Sequence, residues 1–502
     1  MASQHCDSID DVRMGTMSEA SSAPGEEIVT PEEQFHTGAS IKVAAVAALG
    51  GFLFGYDSAV INGAVSAIGQ VFDVESGPLG FAVASALLGA AAGALSAGRI
   101  ADRYGRLRVM QIAAVLFLVS ALGAGFANNL AVLIIFRIIG GLGVGIASVI
   151  APAYIAEIAP ASLRGRLGSL QQLAIVTGIF ISLLVDYVFA TAAGGSTETI
   201  WGLPAWRWMF LVMALPALAY GLLSLTIPES PRYLIANLRV PEARKVLTTM
   251  LGSAGMDVRI RRIQHSLESD HRPSWRDLRA PKGGLLPIVW VGILLSVFQQ
   301  FVGINVIFYY SNILWEAVGF SEADSFKITV ITAVVNIVTT LIAIATVDRF
   351  GRKPLLIIGS IGMTITLAMM SFVFGIAKTV TDASGAVSPD LEGWQGPAAL
   401  IAANVYVVAF GMSWGPVVWV LLGESFPNKI RAAALSVAAM AQWVANWLIT
   451  VSFPTMKDIS LAMSYGFYAV CALLSLFFVV KWVRETKGKE LEDMDDFMPA
   501  AH

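Results

Sequence analysis

Apolar residues run along this chain in twelve blocks separated by short polar stretches, near 42–66, 78–98, 109–127, 131–156, 167–191, 206–227, 285–314, 326–347, 354–377, 397–423, 431–453 and 463–483. Each block is about 20 residues or longer, enough for a helix to cross a hydrocarbon core of about 30 Å. The pattern predicts an all-α membrane protein with twelve transmembrane helices, six within 41–227 and six within 285–484. Between them, residues 228–284 are charged with short amphipathic stretches, which suggests small cytoplasmic helices. Residues 1–40 are polar, acidic and rich in Ser, Gly and Glu, and residues 485–502 are again acidic; both read as cytoplasmic tails, the first disordered.

Composition sharpens this picture. Of 502 residues, 56% are hydrophobic and 14% charged, against roughly 25% charged in soluble domains. Lys and Arg gather in loops of one parity: Arg99, Arg103, Arg106 and Arg108, then Arg164 and Arg166, then Arg349, Arg352 and Lys353, then Lys429 and Arg431. The alternate loops carry acids, so both termini are expected in the cytoplasm. Topology thus explains the bases, and the net charge of −3 gives no reason to expect nucleic acid. Cys6 and Cys471 form no disulfide or metal framework, all five histidines fall outside the spans, and no Gly-rich phosphate loop occurs. An ATP-driven pump, an intramembrane histidine relay, a metal site and a cofactor are not expected. Nor is an enzyme, since no nucleophile and base are paired.

The two halves repeat each other's charges. Asp102-Arg103-Tyr104-Gly105-Arg106 recurs as Asp348-Arg349-Phe350-Gly351-Arg352, Glu157 with Pro160 and Arg164 as Glu424 with Pro427 and Arg431, and Glu229 as Glu485, each roughly 245 to 270 residues on. Duplication of this kind is the signature of a transporter made of two similar bundles with the substrate site between them, working by alternating access. The repeated charges have the composition of ion-pair latches that hold helix ends together on the cytoplasmic side and open when the protein faces inward. Topology-setting bases with incidental acids are the plainer alternative.

Few ionisable residues lie inside the spans, where a charge costs several kcal/mol unless paired or wetted. Asp57 in the first span and Arg137 in the fourth lie about 12 and 10 Å below the same face, so they can meet. A carboxylate whose cationic partner and water access change with conformation changes its proton affinity with them, as proton coupling requires. A permanent ion pair that merely fixes helix packing is the other reading. Asp186, near the outer end of the fifth span, is expected to be solvated.

Several spans carry amides and aromatics without charge: Gln172; Gln299, Gln300 and Asn305 with Tyr309 and Tyr310; Asn336; Trp414 and Trp419 around Gly415-Pro416; and Gln442, Trp443 and Asn446. Amides donate and accept together, which matches sugar hydroxyls, and a Trp face suits the C–H face of a pyranose. Amides that glue helices and aromatics that form interface belts are the competing reading. Gly415-Pro416 is expected to break the tenth span around a substrate.

Taken together, Gly55-Tyr56-Asp57, the two Asp-Arg-aromatic-Gly-Arg motifs, Arg137 with Gly140 and Gly141, PESPRYL at 228–234, QQFVGIN at 299–305, GPVVW at 415–419, the Glu157 and Glu424 motifs and RETKG at 484–488 resemble the sugar porter family of the major facilitator superfamily. The likeness spans about residues 42 to 494. It implies twelve helices in two bundles, a monosaccharide and a proton as partners in a lipid bilayer, a functional monomer and a multi-pass location in a plasma or bacterial inner membrane. In proton-linked members an Asp stands where Asp57 stands, paired with an Arg matching Arg137. The family's sugar contacts map onto Gln172, Ile175, Gln299, Gln300, Asn305, Tyr309, Asn336, Trp419, Gln442 and Trp443. Its cytoplasmic gating network maps onto Asp102, Arg103, Arg106, Glu157, Arg164, Glu229, Asp348, Arg349, Arg352, Glu424, Arg431 and Glu485. Leu107 interrupts the two bases that usually end the first motif. Ile179 stands where some xylose carriers have Gln, which leans towards D-glucose. The alternatives that share these residues are a uniporter, a xylose, galactose or polyol symporter, and a non-transporting sugar sensor.

Overall fold

The computed structural model describes residues 37–158, 164–253, 255–269, 275–280, 283–381, 387–427 and 430–486, so the expected tails fall almost wholly outside the described residues. The first half comprises α1 (Thr37–Ala59), α2 (Ile61–Val71), α3 (Ser76–Tyr104), α4 (Arg106–Gly125), α5 (Leu130–Ile158), α6 (Arg164–Ala193), α7 (Ala205–Val212) and α8 (Ala214–Ser224). Three short helices follow, α9 (Pro231–Ala236), α10 (Val240–Leu251) and α11 (Met256–Ser269). The second half comprises α12 (Pro287–Phe301), α13 (Ile304–Ala317), α14 (Glu322–Phe350), α15 (Arg352–Ile376), α16 (Gln395–Gly411), α17 (Trp414–Ser425), α18 (Arg431–Ile459) and α19 (Leu461–Trp482). Joined where they are consecutive, these give 12 candidate membrane spans among the described residues.

Burial explains why such helices need a bilayer. On α15, Ile358, Ile361, Ile365, Met369 and Phe372 form an exposed stripe at helical spacing, a liability in water and a fit for lipid tails. The inward faces are tight because glycines let backbones touch. A Cβ on Gly55 would overlap the Ile175 carbonyl oxygen and one on Gly178 the Phe52 carbonyl oxygen, which locks α1 to α6 reciprocally. Gly89, Gly141 and Gly145 do the same between α3 and α5. Gly141→Ala is expected to lower the unfolding temperature by the equivalent of about 1–3 kcal/mol, because a backbone carbonyl, that of Ala86, stands in the way. Gly143→Ala, which meets only ordinary contacts at 3.4 Å, should melt like the parent protein.

Each half packs as its own bundle, and the seam between them is made by α3 on α18, α6 on α14 and α2 on α13. Hydrogen bonds cross this seam at the end opposite the Arg103–Arg106 loop. Asn62 Nδ2 donates to the Phe308 carbonyl at 3.1 Å and its Oδ1 accepts from the Asn312 N–H at 3.1 Å. Ser66 Oγ donates to Glu316 Oε2 at 2.9 Å, the Ser196 N–H to Glu322 Oε1 at 2.9 Å, and Ser76 Oγ to Asp458. At the basic end, α9, α10 and α11 bury a small core of their own around Leu234, Leu247, Met256 and Ile260, and α9 packs on α5.

Among the described residues four spans are interrupted between helices, at Val60, Met213, Val302–Gly303 and Met412–Ser413, and α13 is also kinked at Tyr310 (φ −129°, ψ 15°). Only the interruption at Met412–Ser413 lies near an expected break, and it corrects the expectation. Ser413 (φ −131°, ψ −88°) leaves the helix, whereas Pro416 sits in the first turn of α17, where its missing N–H would have no helical partner anyway.

Candidate functional site

Asp57 and Arg137 meet inside the first bundle. Arg137 Nη1 stands 3.5 Å from Asp57 Oδ2 and donates to the Asp57 backbone carbonyl at 2.8 Å. Both side chains are 98% or more buried, and among the described residues neither carboxylate oxygen takes a hydrogen bond. Gly140 makes room for the carboxylate, since a Cβ there would lie 2.9 Å from Asp57 Oδ1. A small pocket opens on the pair, lined also by Ser58, Val83 and, from the other bundle, Tyr309. Tyr309 of the other bundle faces Ser58 and Asn446 as well, so one phenol stands at the seam beside the pair. The pair is held by charge and by a backbone carbonyl. Neutralising the carboxylate therefore frees a buried guanidinium, an imbalance of several kcal/mol that the bundle can relieve only by moving or by admitting water.

The amides of the second bundle form a chain. Asn305 Nδ2 donates to Gln300 Oε1 at 2.5 Å, Gln300 Nε2 faces Gln299 Oε1 at 3.4 Å, and Gln299 Nε2 donates to the carbonyls of Trp414 and Gly415 at 2.8 and 3.2 Å. Two interruptions build it. Gly303 in the left-handed region (φ +85°) turns α12 into α13, with no room for a Cβ against the Tyr468 ring, and the break before Trp414 starts α17 where its first-turn carbonyls come within reach of Gln299. Across the seam, the Phe54 ring lies 6.0 Å from Trp443.

The other expected sugar contacts are distributed as follows. Asn336 is buried near Gly411, and Gln442 is half-buried with its Oε1 lacking a hydrogen bond among the described residues. Gln172 and Ile175 are half-buried on α6, while the neighbouring Gln171 turns its amide onto Gly51 of α1. The two tryptophans of the tenth span part company. Trp414 is fully buried and donates to Ser360 Oγ at 2.9 Å, whereas Trp419 is 43% exposed. Asp186 overturns the expectation of a solvated residue: it is wholly buried against Gly63.

At the basic end, Arg106 pairs with Glu157 at 2.9 Å and Asp102 at 3.3 Å, and Glu157 also accepts from Ser230. The backbone of Arg103 accepts from Tyr233. Glu229 and Glu485 do matching work in the two halves. Glu229 accepts from the N–H groups of Arg106 and Leu107 at 2.9 and 3.3 Å, and Glu485 from those of Arg352 and Lys353 at 3.0 and 2.9 Å. Each carboxylate caps a helix N-terminus over a glycine of positive φ, Gly105 (+92°) or Gly351 (+90°), where a Cβ would strike the cap. Arg349 is exposed, and Arg352 is buried within the second cap. The side chains of Arg164, Asp348, Glu424 and Arg431 lie outside the described residues. Replacing Glu229 or Glu485 with Ala should each cost about 1–2 kcal/mol of stability, read as an earlier thermal melt, and Gln should restore part of it.

Sequence reasoning passed over Asn62, Asn312, Ser66 and Glu316, which close the seam at the end opposite the bases. An Asn in an apolar block, Asn62, and a Glu just before a Gly turn, Glu316, were the available signals.

A family model for "Sugar (and other) transporter" matches residues 43–497. The chain is 56% identical over 455 residues to a glucose transport protein of Synechocystis, covering 90% of this chain and 96% of that one. It is 39% identical over 495 residues to the D-xylose-proton symporter of Escherichia coli K12, covering 92% and 96%. Among solved structures, the inward open xylose transporter XylE of E. coli superimposes with a TM-score of 0.77 at 37% identity, over 92% of this chain and 100% of that one. The same major facilitator superfamily symporter bound to 6-bromo-6-deoxy-D-glucose gives 0.75.

Proposed function

We propose, on the premise that this chain belongs to the sugar transporter family, that it imports a monosaccharide, D-glucose first among the candidates, together with one proton by alternating access. The observation that carries the proton is the buried Asp57–Arg137 pair. It opens on a pocket to which the other bundle contributes Tyr309, so its environment changes whenever the bundles move apart. Support for a neutral polyhydroxylated substrate comes from the Gln299–Gln300–Asn305 chain and the half-buried Gln172 and Gln442, which offer donors and acceptors without charge. Names of relatives support both parts, one being a glucose transport protein and another a D-xylose-proton symporter.

The protein is read as a multi-pass monomer of the cell or bacterial inner membrane with its basic end and both termini in the cytoplasm. In that orientation the Asn62, Ser66 and Ser76 bonds close the outer side. The Glu229 and Glu485 caps then keep each bundle's helix ends together, so that the halves rock as bodies about the seam. In lightly buffered, de-energised cells expressing the protein, adding D-glucose should alkalinise the medium as protons enter with sugar. Entry of labelled sugar with no pH change would refute proton coupling.

A further inference from the structure

Asp186 is the buried carboxylate that the coupling pair leaves unused. It lies on α6 about two turns inside the end opposite the basic loops and is fully buried. Its Oδ2 accepts from the backbone N–H of Gly63 at 3.2 Å, and its Oδ1 has no hydrogen bond among the described residues. Gly63 belongs to the first turn of α2, just past the interruption at Val60, and a Cβ there would lie 2.6 Å from the Asp186 carboxyl carbon. On the other side of the same interruption, the carbonyl of Asp57 accepts from Arg137.

The first span is thus interrupted between two bonds to other helices, a carbonyl held by α5 and an N–H held by α6. Side chains inserted among ladder groups are a recognised cause of helix irregularity, and no Pro or Gly stands at Val60 to cause this one; Val60 itself keeps helical dihedrals (φ −57°, ψ −27°), so the interruption is one of hydrogen bonding. In a bilayer a backbone donor turned away from its own helix has no water to replace the lost bond. Resting on the symport reading, we infer that Asp186 is a positioning residue for the Asp57–Arg137 pair: its acceptor oxygen holds Gly63 and so sets the angle at which α1 delivers Asp57. The same helix α6 carries Gln172 and Ile175 and is locked to α1 through Gly55 and Gly178. A shift of α6 on the sugar side therefore reaches the proton pair through Gly63. The role needs an acceptor, not a charge, which makes it separable by substitution.

Asp186→Asn keeps an oxygen for Gly63, whereas Asp186→Leu keeps the bulk without one. In proteoliposomes, Asp186→Asn should accumulate sugar like the parent protein. Asp186→Leu should lose about fivefold or more of its proton-driven accumulation, the least effect expected from orphaning a buried N–H, while sugar counterflow persists. Nitroxide labels at the exposed Ile41 and Val71, with Cys6 and Cys471 changed to Ser, read how α2 sits on α1; their distance distribution should shift in the Leu variant and not in the Asn variant. If Asp186→Leu yields no folded protein, Gly63→Ala, which displaces the carboxyl group, should produce the same loss and the same shift. An Asn variant as impaired as Leu, a Leu variant like the parent, or parallel loss of accumulation and counterflow at an unchanged label distance would overturn the inference. Failure of the symport reading shows separately, as an unsubstituted protein that never accumulates sugar; the label distances still decide the role of Asp186.

Discussion

Asp57→Asn will bring proton-driven accumulation of sugar down to simple equilibration while leaving exchange of labelled for unlabelled sugar in place. The amide copies the neutral form of the carboxyl group, so the protein is held permanently in one state of the pair. An inward gradient of about 2 pH units stores about 2.7 kcal/mol per proton, enough for roughly hundredfold accumulation at one proton per sugar. The variant should forfeit nearly all of it. The substitution leaves Arg137 buried without its counter-charge, a cost of about 3–5 kcal/mol when a buried pair is broken. The guanidinium keeps its bond to the backbone carbonyl of residue 57, which any side chain provides, so folded protein is expected, with a lower melting temperature. Counterflow and accumulation measured on the same vesicles separate the two effects; an Asp57→Asn protein that still concentrates sugar would remove Asp57 from the coupling step.

Gln300→Ala should weaken sugar binding by about tenfold to a hundredfold, equivalent to about 1–3 kcal/mol for a lost hydrogen-bonding partner in a buried site. Gln300 is held at both ends of its amide by Asn305 and Gln299, and Gln299 is anchored to two first-turn carbonyls of α17. The amide is thereby presented in one orientation before sugar arrives, which limits the ordering cost on binding. Truncation removes that group and leaves Asn305 without its acceptor. Equilibrium binding of labelled glucose to purified protein would show the loss directly, and an unchanged affinity would place the sugar elsewhere. Gln171→Ala is a useful contrast, because that amide faces Gly51 on α1, and its effect should fall on stability.

Much of this architecture is legible in the sequence because the bilayer imposes it. A span needs a minimum length, charges at depth need partners, and counting residues inward from the helix ends is enough to put Asp57 and Arg137 at one level. The repeated motifs likewise announce two matching bundles, and the paired caps on Gly105 and Gly351 show what the repetition serves locally. What escapes is azimuth. Gln171 and Gln172 are adjacent and chemically identical, yet one is buried with its amide on Gly51 of α1 and the other is half-buried, and Trp414 and Trp419 differ more still. Asp186 looks solvated from its place near a helix end, because nothing in the linear order says that α2 covers it. Helix breaks are missed for a related reason. Gly303 signals the seventh span's turn, and Pro216, which has no N–H for the Val212 carbonyl, accounts for the interruption at Met213; the one at Val60 carries neither Gly nor Pro and coincides with an Asp57 carbonyl and a Gly63 N–H that are bonded to other helices.

The central claim is that movement of sugar and movement of a proton are one event. Uptake of labelled D-glucose into proteoliposomes, with and without an imposed inward proton gradient, tests it most directly. The account predicts accumulation above the equilibrium level only when the gradient is present, collapsing when a protonophore is added. Equilibration to the same level whatever the gradient would contradict it, and would make the Asp57–Arg137 pair a structural bond in a uniporter.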